Sequence, residues 1–259
     1  MATHKTGKSF NQSHISNLLN LLEILSDPKV KSWWENYVKG SAPFRGVKMA
    51  AIRKCLHKWH KENIEDVLDL EQQLDLALAL IKEKYTEDKL AGTIFIHEIL
   101  IPKEFIQPKR DIKRLAGLFS EGHIYDWNIC DWFCMKVLGE LIERNGKEWP
   151  KLISKWSSAE NLWQARASVV AFVRVSENRD YYNMIEKSCS NLIKREDRFS
   201  KTAVGWILRE ISKHDDKFVK QFIERNMSHF SIESLRNALK YSSSHERKHY
   251  LHMLKNLKI

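Results

Sequence analysis

The sequence predicts an all-α protein, and three observations lead to this fold class. Apolar residues recur at the three- and four-residue spacing of a helix along most of the chain. Glycine and proline, which turn-rich β and α/β folds need in number, are scarce at 9 and 5 among 259 residues. No segment shows the pattern of a convincing strand. Hydrophobic residues make up 43% of the chain, so a sizeable core can form.

About a dozen helices follow one another, and local signals mark several of their ends. Asp27 is a good N-cap, and Pro28 suits the first helical position. Thr86 with two acidic residues behind it marks another start, whereas Ile101-Pro102 and Asn145-Gly146 mark ends. The predicted helical segments are, in order, 13–26, one from Pro28 that carries Trp33, Trp34 and Tyr37, one with Ile52, Cys55, Leu56 and Trp59 on one face, 66–84, 86–100, 110–120, 123–142, 149–156, 162–175, 181–194, 200–213, 216–226, 231–241 and 245–257.

Regular spacing between helices predicts a repeat architecture. Trp127 and Arg166 are 39 positions apart (166 − 127), and Arg166 and Trp206 are 40 apart (206 − 166). HEAT and armadillo units are about 40–47 residues long. We therefore predict an α-solenoid of antiparallel helix pairs (HEAT-like or ARM-like repeats) with a concave basic face. Residues 1–10 would form a flexible basic tail, and 11–259 a single repeat domain.

The charge of the chain favours a polyanionic partner. The formal net charge is +10 and the pI about 9.3, which favour nucleic acid over a membrane surface, although the charge also fits mere solubility. The four cysteines form no CxxC pair, the eleven histidines are scattered, and we expect neither metal nor cofactor. The sequence shows no secretory signal and no run of about 20 apolar residues. We expect a soluble, intracellular monomer in the cytoplasm, nucleoid or nucleus.

The stretch 123–142 carries a carboxylate on what should be a packing face. On a helical wheel that starts at Trp127, Asp131 falls within the apolar stripe. Burying a carboxylate is costly unless it is paired or hydrogen-bonded. Asp131 is therefore a candidate functional residue. The apolar residues of the stripe are Cys130, Cys134, Val137, Leu138, Leu141 and Ile142.

The next two repeats break their own patterns as well. Arg166 occupies the middle of the apolar stripe of 162–175, where a guanidinium needs a carboxylate or phosphate partner. Trp206 points away from the apolar side of 200–213 and lies beside Arg209 and Lys213. One interpretation is a structural Asp131–Arg166 ion pair with Trp206 filling a groove between helices. The repeat spacing in a basic protein makes us favour a shared functional site.

Four segments carry a resemblance to a known family. They are Phe44-Arg45-Gly46-Val47, Trp127-Asn128-Ile129-Cys130-Asp131, Trp163-Gln164-Ala165-Arg166-Ala167 and Ala203-Val204-Gly205-Trp206-Ile207-Leu208-Arg209-Glu210. From about residue 30 to about residue 250 the chain resembles the AlkD-type DNA alkylation repair glycosylases, which are built from HEAT-like repeats. The resemblance implies an active-site set made of Trp127, Asp131, Arg166 and Trp206. We assign DNA contacts to the neighbouring basic residues Arg45, Lys48, Arg209 and Lys213.

The resemblance also implies a reaction. Such enzymes hydrolyse the N-glycosidic bond of purines alkylated at N3 or N7 in double-stranded DNA, leaving an abasic site for base excision repair, and are described as holding the lesion in the helix. Asp131 would stabilise the developing positive charge on the sugar, and Arg166 would hold a phosphate. The alternative is a non-catalytic HEAT-repeat protein that binds distorted or branched DNA, or a protein-interaction scaffold. Both Asp131 and Arg166 are present, which favours the enzyme.

Overall fold

Helices account for all of the regular secondary structure in the part of the chain that can be described. The computed structural model describes the backbone of residues 3–257 and the side chains of residues 12–257, and no strand occurs within residues 3–257. This confirms the all-α class; the predicted solenoid with a concave basic face stays a prediction. The helices are α1 (Thr3–Ile24), α2 (Pro28–Tyr37), α3 (Met49–Asn63), α4 (Leu70–Lys82), α5 (Thr86–Ile94), α6 (Pro108–Ser120), α7 (Trp127–Phe133), α8 (Gly139–Arg144), α9 (Trp149–Ser154), α10 (Leu162–Val170), α11 (Tyr182–Leu192), α12 (Arg198–Ile211), α13 (Asp216–Asn226), α14 (Ile232–Ala238) and α15 (Ser244–Asn256).

Local capping chemistry explains where several helices begin. Asp27 accepts a hydrogen bond from the backbone N–H of Lys29 at 2.8 Å, and Pro28 is the first residue of α2, as predicted. The predicted segment 123–142 starts later than its apolar pattern suggested, because Asp126 caps α7 and holds the N–H of Ile129 at 3.0 Å. Of the tail predicted at 1–10, residues 1 and 2 lie outside the described part. The backbone from Thr3 onward belongs to α1, and the division into a tail and a single repeat domain stays a prediction.

The chain divides into two compact units, Met1–Val137 and Leu138–Ile259. In the first unit, α5 packs against α3, α4 and α7, and α1 packs against α3 and α4. Its core contains fully buried Trp59 and Phe95, whose rings meet edge to face at 6.4 Å. Cys130 and Cys134 are buried with their sulfur atoms 3.9 Å apart, which agrees with their place in the predicted apolar stripe.

The second unit is organised around α12. This helix packs against α10, α11, α13 and most extensively against α14. A Cβ atom at Gly205 would lie 2.5 Å from the carbonyl oxygen of Ser234, so α12 and α14 approach each other at a point where only glycine fits without movement. Among residues 3–257, no helix combines the length and the apolar character that crossing a lipid bilayer requires.

Candidate functional site

The start of α7 presents the predicted tryptophan and carboxylate one turn apart. Trp127 is its first residue, and Asp131 follows four positions later; both side chains are half-buried. The apolar residues of the predicted stripe are all buried, with exposures between 0 and 4%. Asp131 is thus more exposed than its predicted place inside that stripe implies, and it lies at the edge of the core.

A second carboxylate, which the sequence did not single out, lies close to Asp131. Asp126 is only 2% exposed and accepts hydrogen bonds from the N–H of Ile129 at 3.0 Å and from the hydroxyl of Ser41 at 3.3 Å. Burial raises the pKa of Asp126, the two hydrogen bonds oppose this, and the nearby charge of Asp131 adds to the rise. The available sequence signal was the position of Asp126 as an N-cap. The N-cap and the second turn of α7 therefore carry one carboxylate each, Asp126 and Asp131.

An aromatic cluster adjoins Trp127. The Tyr37 ring meets the Trp127 ring at 5.6 Å and lies parallel to Trp33 at 5.3 Å, with 5° between the two planes. Trp34 stacks on buried Phe44 at 5.6 Å. Trp33 and Tyr37 remain 58% and 54% exposed, so an apolar aromatic surface extends from Trp127 into solvent. The sequence placed these aromatic residues on a helix without giving them a role.

A small cavity lies behind this aromatic surface. Its volume is about 90 Å³, roughly that of three water molecules in the liquid. Asn128 and Trp132 of α7 line it, and they lie next in line to Trp127 and Asp131 along the helix. The other lining residues are Trp34, Phe44, Val47, Met49, Ile52, Glu87 and Leu90. Ligand pockets usually measure about 300–1,000 Å³, so this cavity is too small to enclose a purine nucleoside.

The carboxylate of Glu87 holds the Phe44-Arg45-Gly46-Val47 segment in place through hydrogen bonds to its backbone. Glu87 is 1% exposed and accepts hydrogen bonds from the backbone N–H groups of Arg45 and Gly46 at 2.8 Å and of Val47 at 3.0 Å. Gly46 has φ = 97°, and a side chain there would collide with the carbonyl of Asp27. This segment is therefore a loop fixed by hydrogen bonds, and its residues Phe44 and Val47 line the cavity.

The two DNA contacts predicted in this region differ in exposure. The Arg45 side chain is 8% exposed and donates to both carboxylate oxygens of Asp88, at 2.7 and 3.0 Å, and to Glu23. Its guanidinium also lies 4.4 Å from the centre of the Tyr85 ring. This geometry places Arg45 in a structural ion-pair network, and its predicted DNA contact stays a prediction. Lys48 is exposed at the N-cap of α3, and its DNA contact stays a prediction.

Lys89 is a buried cation that sequence reasoning missed. It is 3% exposed, its Nζ donates to the carbonyl of Ile81 at 2.9 Å, and it lies 5.4 Å from the centre of the Tyr125 ring. Burial lowers its pKa to about 8, although the neighbouring carboxylates of Asp88, Glu83 and Asp126 oppose the shift. Every residue of α5 is buried. The helix therefore has no separate apolar face that a lysine could interrupt, and the local sequence does not indicate that Lys89 is buried.

Arg166 lies in the interior of the second unit, as its place in the apolar stripe predicted. It is 5% exposed, and its Nη1 donates to the carbonyl of Phe199 at 2.7 Å and to the hydroxyl of Thr202 at 3.3 Å. Asn161 caps α10 by accepting the N–H of Trp163 at 2.9 Å. Contacts with the start of α12 thus fix the orientation of this guanidinium.

Trp206 is half-buried on α12, turned away from the core side of the helix. The apolar partners of the wheel, Val204, Ile207, Leu208 and Ile211, are all at 0% exposure, which confirms the predicted orientation. The Arg209 guanidinium lies 6.0 Å from the Trp206 ring centre. Arg209 also donates to Glu210 at 2.7 Å, and Lys213 pairs with the same carboxylate. Burial would raise the pKa of Glu210, but these two cations hold it below its ordinary value.

The four residues predicted to be catalytic are divided between the two units. Trp127 and Asp131 belong to Met1–Val137, whereas Arg166 and Trp206 belong to Leu138–Ile259. Their grouping in one site, and the chemical role of each, stay predictions.

Comparisons with known proteins bear on the whole chain. A family model described as DNA alkylation repair enzyme matches residues 18–242. A solved structure described as a predicted DNA alkylation repair enzyme from Enterococcus faecalis aligns with a TM-score of 0.69 at 19% sequence identity, covering 85% of this chain and 97% of that chain. At this identity the likeness shows a common fold. No curated protein matches the sequence significantly.

Proposed function

Because that family model spans most of the sequence, the chain belongs to the DNA alkylation repair enzyme family, and we propose that it is a DNA glycosylase. Its substrate would be double-stranded DNA with purines alkylated at N3 or N7, and its product an abasic site for base excision repair. The observation that carries the proposal is a half-buried carboxylate, Asp131, one turn after Trp127 on a helix that presents both side chains at the edge of the core.

The proposed reaction needs an ionised carboxylate to stabilise positive charge, and it needs no general acid to protonate the leaving base. A purine alkylated at N3 or N7 is already cationic, so it leaves without being protonated. The barrier lies in the positive charge that develops on the deoxyribose as the bond breaks. An ionised Asp131 stabilises that charge and orients the attacking water, as carboxylates do in glycosidases. Water adds to the sugar carbon and loses one proton, and the neutral base departs.

The aromatic cluster suits the sugar and the charged base. The Trp127 ring presents a negative π face that attracts a cation within about 6 Å. Tyr37, in contact with Trp127 at 5.6 Å, extends this apolar surface. We assign Trp127 to packing on the deoxyribose of the lesion, and Trp206 to a similar contact with the backbone.

Arg166 is assigned to a phosphate beside the lesion. A guanidinium has five donors in a rigid fork, which matches phosphate oxygens. The bonds from Nη1 to Phe199 and Thr202 hold this fork in one orientation, so little order is lost when a phosphate binds. This assignment makes Arg166 a group that binds and positions the substrate.

The damaged base would stay stacked in the duplex. Enzymes that flip a nucleotide need a pocket that encloses it. The cavity beside α7 is about 90 Å³ and lined mainly by apolar side chains. Its size supports an approach to the sugar from the backbone side, with the base left in the helix.

The decisive experiment is release of 7-methylguanine or 3-methyladenine from methylated duplex DNA, with a metal chelator and without nucleotides. Wild-type protein should free the base. Asp131→Asn should bind abasic DNA normally and release base about 10²–10³-fold more slowly, the usual effect of losing one transition-state charge contact. Asp66→Asn, at an exposed position in the same unit, is the matched control and should be fully active. Binding should also weaken steeply with salt.

The alternative function predicts a different pattern. A non-catalytic relative that binds distorted or branched DNA would bind duplexes and release no alkylated base at any protein concentration. Equal base release by wild type and Asp131→Asn would show that another group carries the chemistry. Salt-insensitive binding would exclude the DNA backbone as the main partner.

A further inference from the structure

The turn between α14 and α15 displays an aromatic ring with two lysines. Tyr241 is 54% exposed. The Nζ of Lys213 lies 5.2 Å from the centre of its ring, and the Nζ of Lys240 lies 6.0 Å from it. An exposed ring close to two ammonium groups is a typical surface for a sugar–phosphate chain, because the ring packs on the sugar or base and the cations bind the phosphates.

This turn is held in place before any ligand arrives. Nη2 of Arg247 donates to the carbonyl oxygens of Lys240 and Ser242, each at 3.1 Å. Ser243 then caps α15 and exchanges hydrogen bonds with Glu246. Because the backbone on both sides of Tyr241 is hydrogen-bonded, the position of its Cα atom is fixed before binding. The turn therefore loses less conformational entropy when a ligand binds.

A continuous series of contacts links this turn to Trp206. The Trp206 ring is followed by Arg209 at 6.0 Å, and Arg209 donates to Glu210 and to Asn237, the latter at 3.2 Å. Glu210 pairs with Lys213, and Lys213 reaches the Tyr241 ring. We call this series, from Trp206 on α12 to Lys240 and Tyr241, the α12–α14 strip; its members are Trp206, Arg209, Glu210, Lys213, Asn237, Lys240 and Tyr241.

The charges of the strip are partly balanced by one acid. Arg209, Lys213 and Lys240 are cationic, and Glu210 bonds to the first two of them. The Glu210 side chain is 14% exposed, so a polyanion would have to draw both cations away from a carboxylate that it hardly reaches. Glu210 therefore lowers the affinity of the strip for phosphate while it orients the two cations.

We propose that the α12–α14 strip is a second DNA-backbone surface, in which Lys240 and Tyr241 bind phosphate and sugar beyond the nucleotides held by Trp206, and Glu210 limits the affinity. This rests on the proposed function, because it takes duplex DNA as the partner. Apart from Trp206, the residues of the strip act in binding and take no part in cleavage.

The experiment measures binding of an unmodified duplex by fluorescence anisotropy over a series of salt concentrations. Lys240→Gln should flatten the slope of log affinity against log salt by about 0.9, the value for one phosphate contact. Tyr241→Ala should weaken binding roughly tenfold at fixed salt, whereas Tyr241→Phe should retain the affinity because it keeps the ring. Lys217→Gln, on the exposed face of α13, is the charge-matched control and should leave the slope near that of wild type.

Glu210→Gln should strengthen DNA binding, whereas Lys240→Gln and Tyr241→Ala should weaken it, so it tests the proposed role of Glu210 separately. It removes the acid at nearly constant shape, so we expect tighter binding and a salt slope steeper by about 0.9 or more. Melting curves of all the variants would identify any that lose structure. A merely structural Glu210 would give weaker binding with an unchanged slope, which would overturn this part of the proposal.

The results separate the strip from the glycosylase. If wild type releases alkylated base while Lys240→Gln and Tyr241→Ala bind like wild type, the strip is refuted and the proposed function stands. If wild type releases no base while these variants lose affinity as expected, the strip stands and the glycosylase is refuted. If wild type does not bind duplex DNA, both are refuted.

Discussion

Replacing Glu87 with alanine should unfold much of the first unit at low denaturant, because three backbone N–H groups depend on this one carboxylate. The hydrogen bonds to Gly46 and Val47 are buried, and the one to Arg45 is partly so. An unsatisfied buried donor costs about 1–3 kcal/mol. Two full penalties and part of a third give roughly 3–7 kcal/mol, a large share of the about 5–15 kcal/mol that stabilises a typical domain.

The glutamine variant refines this prediction. Glu87→Gln keeps the shape and one oxygen, but its amide NH₂ must face either Arg45 or the Gly46–Val47 pair, and all of these are donors. We expect a loss of about 2–4 kcal/mol, from one or two charge-assisted bonds. The order of stability should therefore be wild type, Glu87→Gln, Glu87→Ala.

Urea unfolding followed by tryptophan fluorescence and by circular dichroism measures these differences, and coincidence of the two probes shows whether unfolding is two-state. Glu65→Ala, at an exposed position in the same unit, should change the free energy of unfolding by less than about 0.5 kcal/mol. A Glu87→Ala protein within about 1 kcal/mol of wild type would refute the reasoning, since it would mean that water or other groups satisfy the three donors.

Two further predictions concern stability. Gly205→Ala should destabilise the protein by about 1–2 kcal/mol, because overpacking against the Ser234 carbonyl outweighs the gain of about 1 kcal/mol in helix propensity. In the control Gly117→Ala, the new methyl meets only the end of a flexible side chain at 3.1 Å, so this variant should be neutral or stabilising in the same urea experiment. Equal effects of the two substitutions would contradict the close approach of α12 and α14. Lys89 has a pKa of about 8 in the folded protein and an ordinary value of 10.5, so between these pH values the unfolded state binds more protons and stability rises with pH. The melting temperature of wild type relative to Lys89→Met should therefore rise as the pH goes from 7 to 10. A difference in melting temperature that stays constant over this range would contradict the burial of the charge.

Helix starts were the features of the fold that sequence most reliably predicted. Asp27 and Pro28 mark the start of α2 in both sequence and structure, because a cap is a local interaction between neighbouring residues. The helical wheel was less accurate for 123–142. A π-helical turn at Cys134–Leu138 takes more residues per turn than an α-helix, so it shifts the phase of Leu141 and Ile142 relative to Asp131. A wheel with a constant 100° step cannot show this.

The candidate site shows the same limit for charged residues. The DNA contact of Arg45 stays a prediction, but its ion pairs could not be predicted, because the acidic partners come from α1 and α5, 22 and 43 positions away, and only the folded chain brings them together. Arg209 and Lys213 have a partner close in sequence that we did not predict: Glu210 lies next to the first and three residues before the second, where ion pairs form on a helix. Long-range pairing is therefore what separates a free cation from a structural one.

The burial of the thiols affects how this protein reacts with the methylating reagents that would create its proposed substrate. Reagents that methylate purines also attack protein thiolates, and an exposed, ionised cysteine reacts first. Cys130, Cys134 and Cys189 have 0% exposure, and burial raises the pKa of both Cys189 and half-buried Cys55. Three of the four thiols are thus kept away from the reagents that would create the proposed substrate, and we expect Cys55 to be the first to react.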